Sequence, residues 1–361
     1  MFRGGQSMNS VKKTRRKAVS LILIICMLVA VVAGCSGQPS KADDFSLWVK
    51  DAKSLAALKS YVSEVTNKNS KNFIPEEDRI AVFDMDGTLY GELAPIYVEW
   101  WMYAYRVNED PSFKADAAEK EVADKIIASA KSGVIDDSIE LNHAIQNARV
   151  FAGMTIEGYK QYVREFVKRN VVGFDNMTYK DAFYKPMIEV VKYLNANGFT
   201  VYICSGTDRF MCRELVSGVL PIADNHFIGM DVMLKARGQG NTDGLEYVYA
   251  KDDQVVRTDE LLIKSVKMNK VSLLSRELGK APVLCFGNSS GDESMAVYTT
   301  QNEKYLSKAF LLVADDDVRD YGSVEKGAEK AEKWRSKGWE VISMKNDWTT
   351  IYGGNVVKTS K

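Results

Sequence analysis

The sequence predicts an α/β fold: a parallel sheet covered by helices on both faces, with a block of helices inserted after the first strand. Three observations carry that expectation. Short apolar runs stop abruptly in polar sequence at IAVF before DMDGT (80–88), TVYIC before SGT (200–207) and PVLCF before GNSSGD (282–292). Segments with apolar residues at helical spacing alternate with these runs, which is the signature of βαβ units. Between the first and second runs, residues 93 to about 182 carry helical pattern throughout.

The elements follow in order. DFSLWVKDAKSLAALKSYVSEV reads as a leading amphipathic helix, and RIAVFDMD as the first strand. Four helices come next, IYVEWWMYAYRV, AAEKEVADKIIASA, IDDSIELNHAIQNARVF and EGYKQYVREFVKR, with Gly or Pro punctuation between them. KPMIEVVKYLNANG is a helix ending at a glycine, FTVYICSG a strand and TDRFMCRELVSGV a helix. HFIGMDVML through YVYAKDDQVV suggests strands with turns. KVSLLSRELG, PVLCFGNSSGD, DESMAVYT and AFLLVADDD then alternate helix and strand, and EKGAEKAEKWRSKG with WEVISM closes the series. In such sheets the chemistry sits at the carboxyl ends of the strands, and the inserted helices are numerous enough to form a lid.

The chain has 361 residues, 46% hydrophobic and 27% charged, the composition of an ordinary folded protein. Its formal charge of zero hides an asymmetry. Residues 1–34 hold six basic residues and no acids, so the remaining 42 basic residues face 48 acidic ones, a net of −6. That balance speaks against a nucleic-acid or polybasic membrane-surface role.

The basic cluster KKTRRK precedes the 17-residue apolar run AVSLILIICMLVAVVAG, which ends beside Cys35. Positive n-region, apolar h-region and small residues at the end are the layout of a secretory signal. Met8 is a second candidate start. The tetrapeptide VAGC resembles a bacterial lipobox, which implies lipidation of Cys35 and a mature protein held on the outer side of the cytoplasmic membrane. An uncleaved span is the alternative, from a run near the lower length limit. SGQPSKADD reads as a short tether. The expected division is a signal over 1–34, tether and leading helix over 35–70, core over 71–90 and 183–361, and a helical cap over 91–182. Removing Cys26 with the signal and Cys35 with the lipid leaves Cys204, Cys212 and Cys285, an odd number with no disulfide framework. The two histidines, His143 and His226, show no zinc-ligand spacing and read as surface or satisfied core residues.

The three strand ends bring together Asp84, Asp86 and Thr88, then Ser205, Gly206 and Thr207, then Asn288 and Asp292, with Lys264, Lys267 and Lys270 between the second and third. Paired acids at one strand end repel unless something compensates. Hard oxygen ligands from two strands suit a Mg²⁺-type cation, while hydroxyls, loop N–H groups and a lysine suit a phosphoryl group.

In this order the elements resemble the haloacid dehalogenase superfamily of phosphohydrolases. DMDGT is similar to that family's DxD[GT] signature, ICSG to its second motif and GNSSGD to its fourth; the resemblance runs from residue 80 to about 315 and is nearest the phosphoserine phosphatase branch. It implies a Rossmann-like core with an all-α cap between the first and second strands. It further implies that Asp84 is the nucleophile, forming an aspartyl-phosphate, and that Asp86 protonates the leaving oxygen and later activates water. Ser205 would hydrogen-bond the phosphoryl group, with Thr88 and Gly206 beside it. Mg²⁺ would be held by Asp84, the Asp86 carbonyl and the loop of Asn288 and Asp292. Two departures matter. Asn288 stands where the family usually has a second acid, which leaves Asp292 as the only loop carboxylate. The motif lysine is ambiguous: Lys270 opens the helix before the third strand and suits the family position, with Lys264 and Lys267 as alternatives. The resemblance also sets Cys204 and Cys285 on strands flanking the first, two strand spacings apart and too far for a bridge.

Rival readings fare worse. GNSSG also matches G-x-S-x-G, but a serine hydrolase of that type needs a histidine after the serine, and both histidines precede it. Setting Gly87 at position six of a calcium loop puts Val82 and Leu93 where acids are needed. A dehalogenase would have no use for Asp86, so phosphatase is preferred, with phosphotransferase more distant. A non-catalytic binding lipoprotein is the alternative from outside the enzymes.

For substrate, the expectation is a small extracytoplasmic phosphate ester. Glu92 lies eight residues past Asp84, where phosphoserine phosphatases carry a substrate-binding glutamate; a solvated or capping role is the plain alternative. In the first cap helix Ile96, Trp100 and Tyr103 line one face and Tyr97, Trp101 and Tyr105 another. Aromatics on both faces mean burial between cap and core, or in part a pocket wall. Aromatic faces bind quaternary ammonium, and phosphorylcholine phosphatases belong to this superfamily, so phosphocholine stands beside phosphoserine.

Overall fold

The computed structural model describes residues 44–92, 96–135 and 138–359. The expected signal, Cys35 and nearly all of the tether lie outside the described residues. Helix α1 (Lys53–Thr66) leads into β1 (Ile80–Phe83). Helices α2 (Val98–Asn108), α3 (Ala117–Ser132), α4 (Ile139–Val150) and α5 (Ile156–Phe166) follow, then a two-residue strand β2 (Phe174–Asp175). The chain continues through α6 (Lys185–Ala196), β3 (Thr200–Asp208), α7 (Arg209–Val216), β4 (Phe227–Ala236) and β5 (Val255–Ile263). It ends with α8 (Met268–Leu278), β6 (Leu284–Gly287), α9 (Glu293–Thr300), β7 (Lys308–Val313), α10 (Val324–Ser336), β8 (Glu340–Ser343), α11 (Met344–Asp347) and β9 (Val357–Lys358).

Seven strands form one sheet in the order β5-β4-β3-β1-β6-β7-β8. Its pairings are parallel except β4 with β5, an antiparallel edge hairpin. This is the α/β fold with a mostly parallel sheet that the alternation predicted. β1 lies at the centre. The chain first builds outward on one side through β3 to β5, then returns to build β6 to β8 on the other. That reversal opens a crevice at the carboxyl end of β1, flanked by the ends of β3 and β6.

Strand pleating divides the core. Ala81 and Phe83 point into the larger apolar cluster and Val82 into the smaller one, where it meets Cys204, Cys285 and Leu311. Phe83 stacks on Phe286 at 4.1 Å between ring centroids, and Phe286 lies 5.3 Å from Phe310. Each fully buried side chain of this size contributes about 1.5–3 kcal/mol, so three in a row fix the β1-β6-β7 register firmly. Cys204, Cys212 and Cys285 are free and buried.

Two features escaped the sequence reading. β2 pairs antiparallel with β9 at the far end of the chain, Phe174 opposite Lys358, because two-residue strands carry no periodicity. The β4–β5 hairpin is more than an edge. Gly153 N donates to Arg257 O (2.8 Å) and Arg257 N donates to Met154 O (2.9 Å), so its backbone is sewn to the turn between α4 and α5. Within the helical block, Asp116 and Glu119 form a reciprocal capping box on α3, and Gly133 ends it in the left-handed region. Among the described residues no helix is long and apolar enough to cross a membrane.

Candidate active site

The turn after β1 is built from backbone bonds. Thr88, Leu89 and Tyr90 N–H groups all converge on Met85 O, and Gly87 N donates to Tyr90 O (2.6 Å). Gly87 has φ +77°, and a Cβ there would sit 1.9 Å from Asn288 Nδ2. Only glycine fits. The result presents Asp84 and Asp86 at the crevice, both buried, with Asp84 N donating to Phe286 O (2.9 Å) on the neighbouring strand.

Lys270, on the first turn of α8, reaches under this turn. Its Nζ donates to Asp84 Oδ1 (2.6 Å), Asp292 Oδ1 (2.7 Å) and Cys204 O (2.6 Å), so all three ammonium hydrogens are used. Burial alone would lower its pKa, but Asp292 and Asp84 more than offset that and hold it above the ordinary lysine range. Asp84 is pushed well up, first by burial and then by the neighbouring Asp292, with Lys270 acting against both. Asp292 Oδ2 accepts from Asn288 N, Ser289 N and Ser289 Oγ (3.0, 3.0 and 3.1 Å), closing the loop after β6. Of the three candidate lysines, the structure brings Lys270 to the acids. Lys264 donates instead to Gly206 O (2.8 Å), and Lys267, at φ +51°, lines the cavity above them.

Asp86 Oδ2 accepts from Thr207 Oγ1 (2.7 Å) and, at a long 3.4 Å, from Ser205 Oγ. Its Oδ1 is buried with no hydrogen-bond partner among the described residues. Burial raises its pKa, partly countered by the Thr207 bond. Ser205 is fully buried, its Oγ also accepting from Thr207 N (3.1 Å), and it does not line the cavity, whereas Thr207 does. The sequence reading gave its site role to the serine and none to the threonine. Alternation puts residues i and i+2 on one face of a strand, and that was the available signal.

A cavity of about 520 Å³ opens above these groups. Asp84, Asp86, Gly206, Thr207, Lys270 and Asp292 form its floor; Glu92, Tyr97, Glu99, Trp100 and Glu140 come from the chain between β1 and β3. Thr88 Oγ1 donates to Asn288 Oδ1 (3.3 Å) and is fully buried beneath this floor. Glu92, pushed up to about 7 by burial, hydrogen-bonds Asn288. The aromatic helix does both things its faces suggested: Tyr103 is fully buried, while Trp100 and Tyr97 also wall the cavity.

Glu99, Asp208 and Arg257 are buried charged residues that share no sequence motif and were not singled out, and the half-buried Lys264 joins them. Glu99 Oε1 accepts from Asp208 N (2.8 Å), and Arg257 Nη1 donates to Asp208 Oδ2 (2.7 Å) while its guanidinium lies 4.0 Å over the Tyr159 ring. His143 was expected to be a surface or satisfied core residue. It is instead fully buried between Trp100 and Tyr103, its Nδ1 3.9 Å from a Glu99 carboxylate oxygen.

The site suits a hard dication. Among the described residues, three buried carboxylates, Asp84, Asp86 and Asp292, gather around the buried Lys270 ammonium, and Asp86 Oδ1 has no hydrogen-bond partner. Among the described residues no three Asp, Glu, His or Cys side chains converge as a closed cage. A cation here would draw on carboxylate, main-chain carbonyl and amide oxygens and keep water, as Mg²⁺ does. Asp292, with both oxygens engaged, is the less open of the two loop candidates; the Asn288 amide is the other.

Residues 79–256 match the family model of the haloacid dehalogenase-like hydrolases. No curated protein matches the sequence. Among solved structures, a conserved protein of unknown function from Anaerococcus prevotii DSM 20548 aligns with a TM-score of 0.50 at 13% identity, over 87% of this chain and 97% of that one. A protein of unknown function from Bordetella pertussis Tohama I aligns at 0.45 with 16% identity, over 73% and 97% of the two chains. A phosphoserine phosphohydrolase-like protein from Francisella tularensis subsp. tularensis SCHU S4 aligns at 0.40 with 14% identity, over 73% and 94%. At 13% identity the first of these likenesses concerns the fold alone.

Proposed function

We propose that this chain, which carries a haloacid dehalogenase-like hydrolase domain over residues 79–256, is a Mg²⁺-dependent phosphomonoester hydrolase working through an aspartyl-phosphate. The observation that carries the reading is Lys270, whose ammonium joins the Asp84 and Asp292 carboxylates beneath a cavity that Asp86 also lines. With Oδ1 held by Lys270, Asp84 presents Oδ2 to phosphorus and displaces the ester oxygen. Asp86 offers its unpartnered Oδ1 to that oxygen, passing a proton to the leaving alcohol and taking one from the water that later cleaves the acyl phosphate. Lys270 and the Ser289–Gly291 loop stand where phosphoryl charge collects. Asp84, the Asp86 carbonyl and Asn288 would hold Mg²⁺, with Asp292 fixing Lys270 and the loop. When bound, the cation supplies neutralisation of the phosphoryl oxygens.

The test is phosphate release from a panel of small phosphomonoesters, with Mg²⁺, with chelator, and as Asp84→Asn. Turnover that falls by about a thousandfold or more in both controls is the expected result. A folded, Mg²⁺-binding protein that cleaves no ester would support a binding protein instead. Among leaving groups, an amino alcohol is favoured, because Glu92, Glu99 and Glu140 share the cavity wall with the rings of Tyr97 and Trp100. Phosphoserine and phosphocholine are the two candidates, and their kcat/KM ratio separates them.

We further propose a membrane-anchored lipoprotein acting outside the cytoplasm, supported by the KKTRRK cluster, the apolar run and Cys35. Release of the Cys35→Ala chain from the membrane fraction is expected; retention would favour an uncleaved span.

A further inference from the structure

Thr207 holds Asp86, and the residues on either side of Thr207 are gripped from outside the sheet. Lys264 Nζ donates to Gly206 O (2.8 Å), and Glu99 Oε1 accepts from Asp208 N (2.8 Å). The two grips are joined, since Glu99 Oε2 lies 3.9 Å from Lys264 Nζ. A third contact, Arg257 to Asp208 Oδ2 (2.7 Å), fixes the side chain that caps α7 through Phe210 N and Met211 N. Glu99 belongs to α2 of the inserted helices, while Gly206–Asp208 belongs to the sheet. Glu99 is 1% exposed, so its bond to Asp208 N is short of competing water, while Lys264, partly exposed, lines the cavity.

We propose that Glu99 is a positioning residue: by holding Asp208 N directly and Gly206 O through Lys264, it fixes Thr207 Oγ1 against Asp86 and so aims Asp86 Oδ1 at the leaving oxygen. The inserted helices thereby complete the acid/base group of the core, and a displaced α2 leaves Asp86 loosely held. This inference rests on the phosphatase reading for its catalytic consequence and on geometry alone for the clamp itself.

The consequence differs between esters. An alkyl phosphate needs a proton on its departing alkoxide, whereas p-nitrophenyl phosphate releases a stable phenolate without one, so a fault in aiming Asp86 is felt chiefly by the first. Glu99→Ala is expected to lower kcat on an alkyl phosphate by about 30-fold or more and on p-nitrophenyl phosphate by less than about 3-fold. Thr207→Val should show the same split, and the double variant should be within about 3-fold of Thr207→Val alone, because both changes act on one contact. Glu99→Gln keeps an acceptor for Asp208 N and should lose less than Glu99→Ala; it also serves if the alanine variant does not fold. Equal losses on both esters, or losses that multiply in the double variant, would overturn the assignment. Hydrogen exchange at the Asp208 amide gives a readout without turnover. If the wild type cleaves neither ester, the phosphatase reading fails, while faster exchange at that amide in the Glu99 variants sustains the clamp and unchanged exchange removes it.

Discussion

Two buried polar regions of this protein lie side by side and are built in opposite ways. At the strand ends, Lys270 uses all three of its hydrogens and Asp292 accepts from four donors. In the seam between the inserted helices and the β4–β5 hairpin, Asn147 and Tyr159 are fully buried with side-chain polar atoms that bond to nothing among the described residues, and Arg257 leaves Nε and Nη2 without hydrogen-bond partners among them. Loops at strand ends bring free backbone N–H and C=O groups to the acids. Helices have already spent theirs, so side chains meeting across helix faces must satisfy one another. The strand-end cluster is therefore costly to break, and parts of the seam are cheap to replace.

The largest expected effect tests the first half of that contrast. Lys270→Met leaves Asp84 and Asp292 facing each other without their shared cation, and should cost about 3–5 kcal/mol in urea unfolding as well as turnover. A loss below about 1 kcal/mol would mean that the acids find other compensation. The next concerns the border between the regions. Burial raises Glu99 from 4.5 to about 7, with Lys264 opposing. A carboxyl raised on folding contributes stability that is complete below its unfolded value and is lost as pH rises through the folded one. The stability difference between wild type and Glu99→Gln should accordingly change by up to about 3 kcal/mol from pH 4.5 to above 7. His143 is held well below its ordinary value by burial and then by Lys264, and works in the opposite sense, its contribution present above pH 6.5 and lost as pH falls. Its Nδ1 lies 3.9 Å from Glu99, so the two titrations are coupled, and the same comparison made in a His143→Phe background isolates the Glu99 part. A flat difference would show that Glu99 does not change its protonation on folding.

The smallest effect tests the seam. Neither amide atom of Asn147 has a partner among the described residues, so Asn147→Leu, which keeps the branching and the number of side-chain heavy atoms, should be neutral or stabilising by up to about 1 kcal/mol in thermal unfolding. A clear destabilisation would reveal a bonded water or ion in the seam, and the contrast between the regions would shrink.

Much of the strand-end half was legible beforehand. Asp84 and Asp86 announce themselves because an apolar run of strand length ends in two acids with Gly87 behind them, and local pattern suffices to place strand ends. The family resemblance then implied that β3 and β6 flank β1, as they do. The β2–β9 pairing and the fastening of the β4–β5 hairpin to the α4–α5 turn were not legible. Both join segments far apart in sequence through backbone bonds that no side-chain periodicity records.

What the sequence determined by itself is thus whatever depends on spacing within a strand or turn: the mostly parallel α/β order, the acids of the first motif, the glycine in the turn behind them. The tertiary structure alone decided which lysine reaches the acids, that Thr207 rather than Ser205 reaches the cavity, and that Glu99 meets Asp208. Lys264, Lys267 and Lys270 are chemically the same and nearly adjacent in sequence. Only the direction in which α8 leaves its loop points one of them inward, and that direction is set by packing against β3 and α9, which no local pattern encodes.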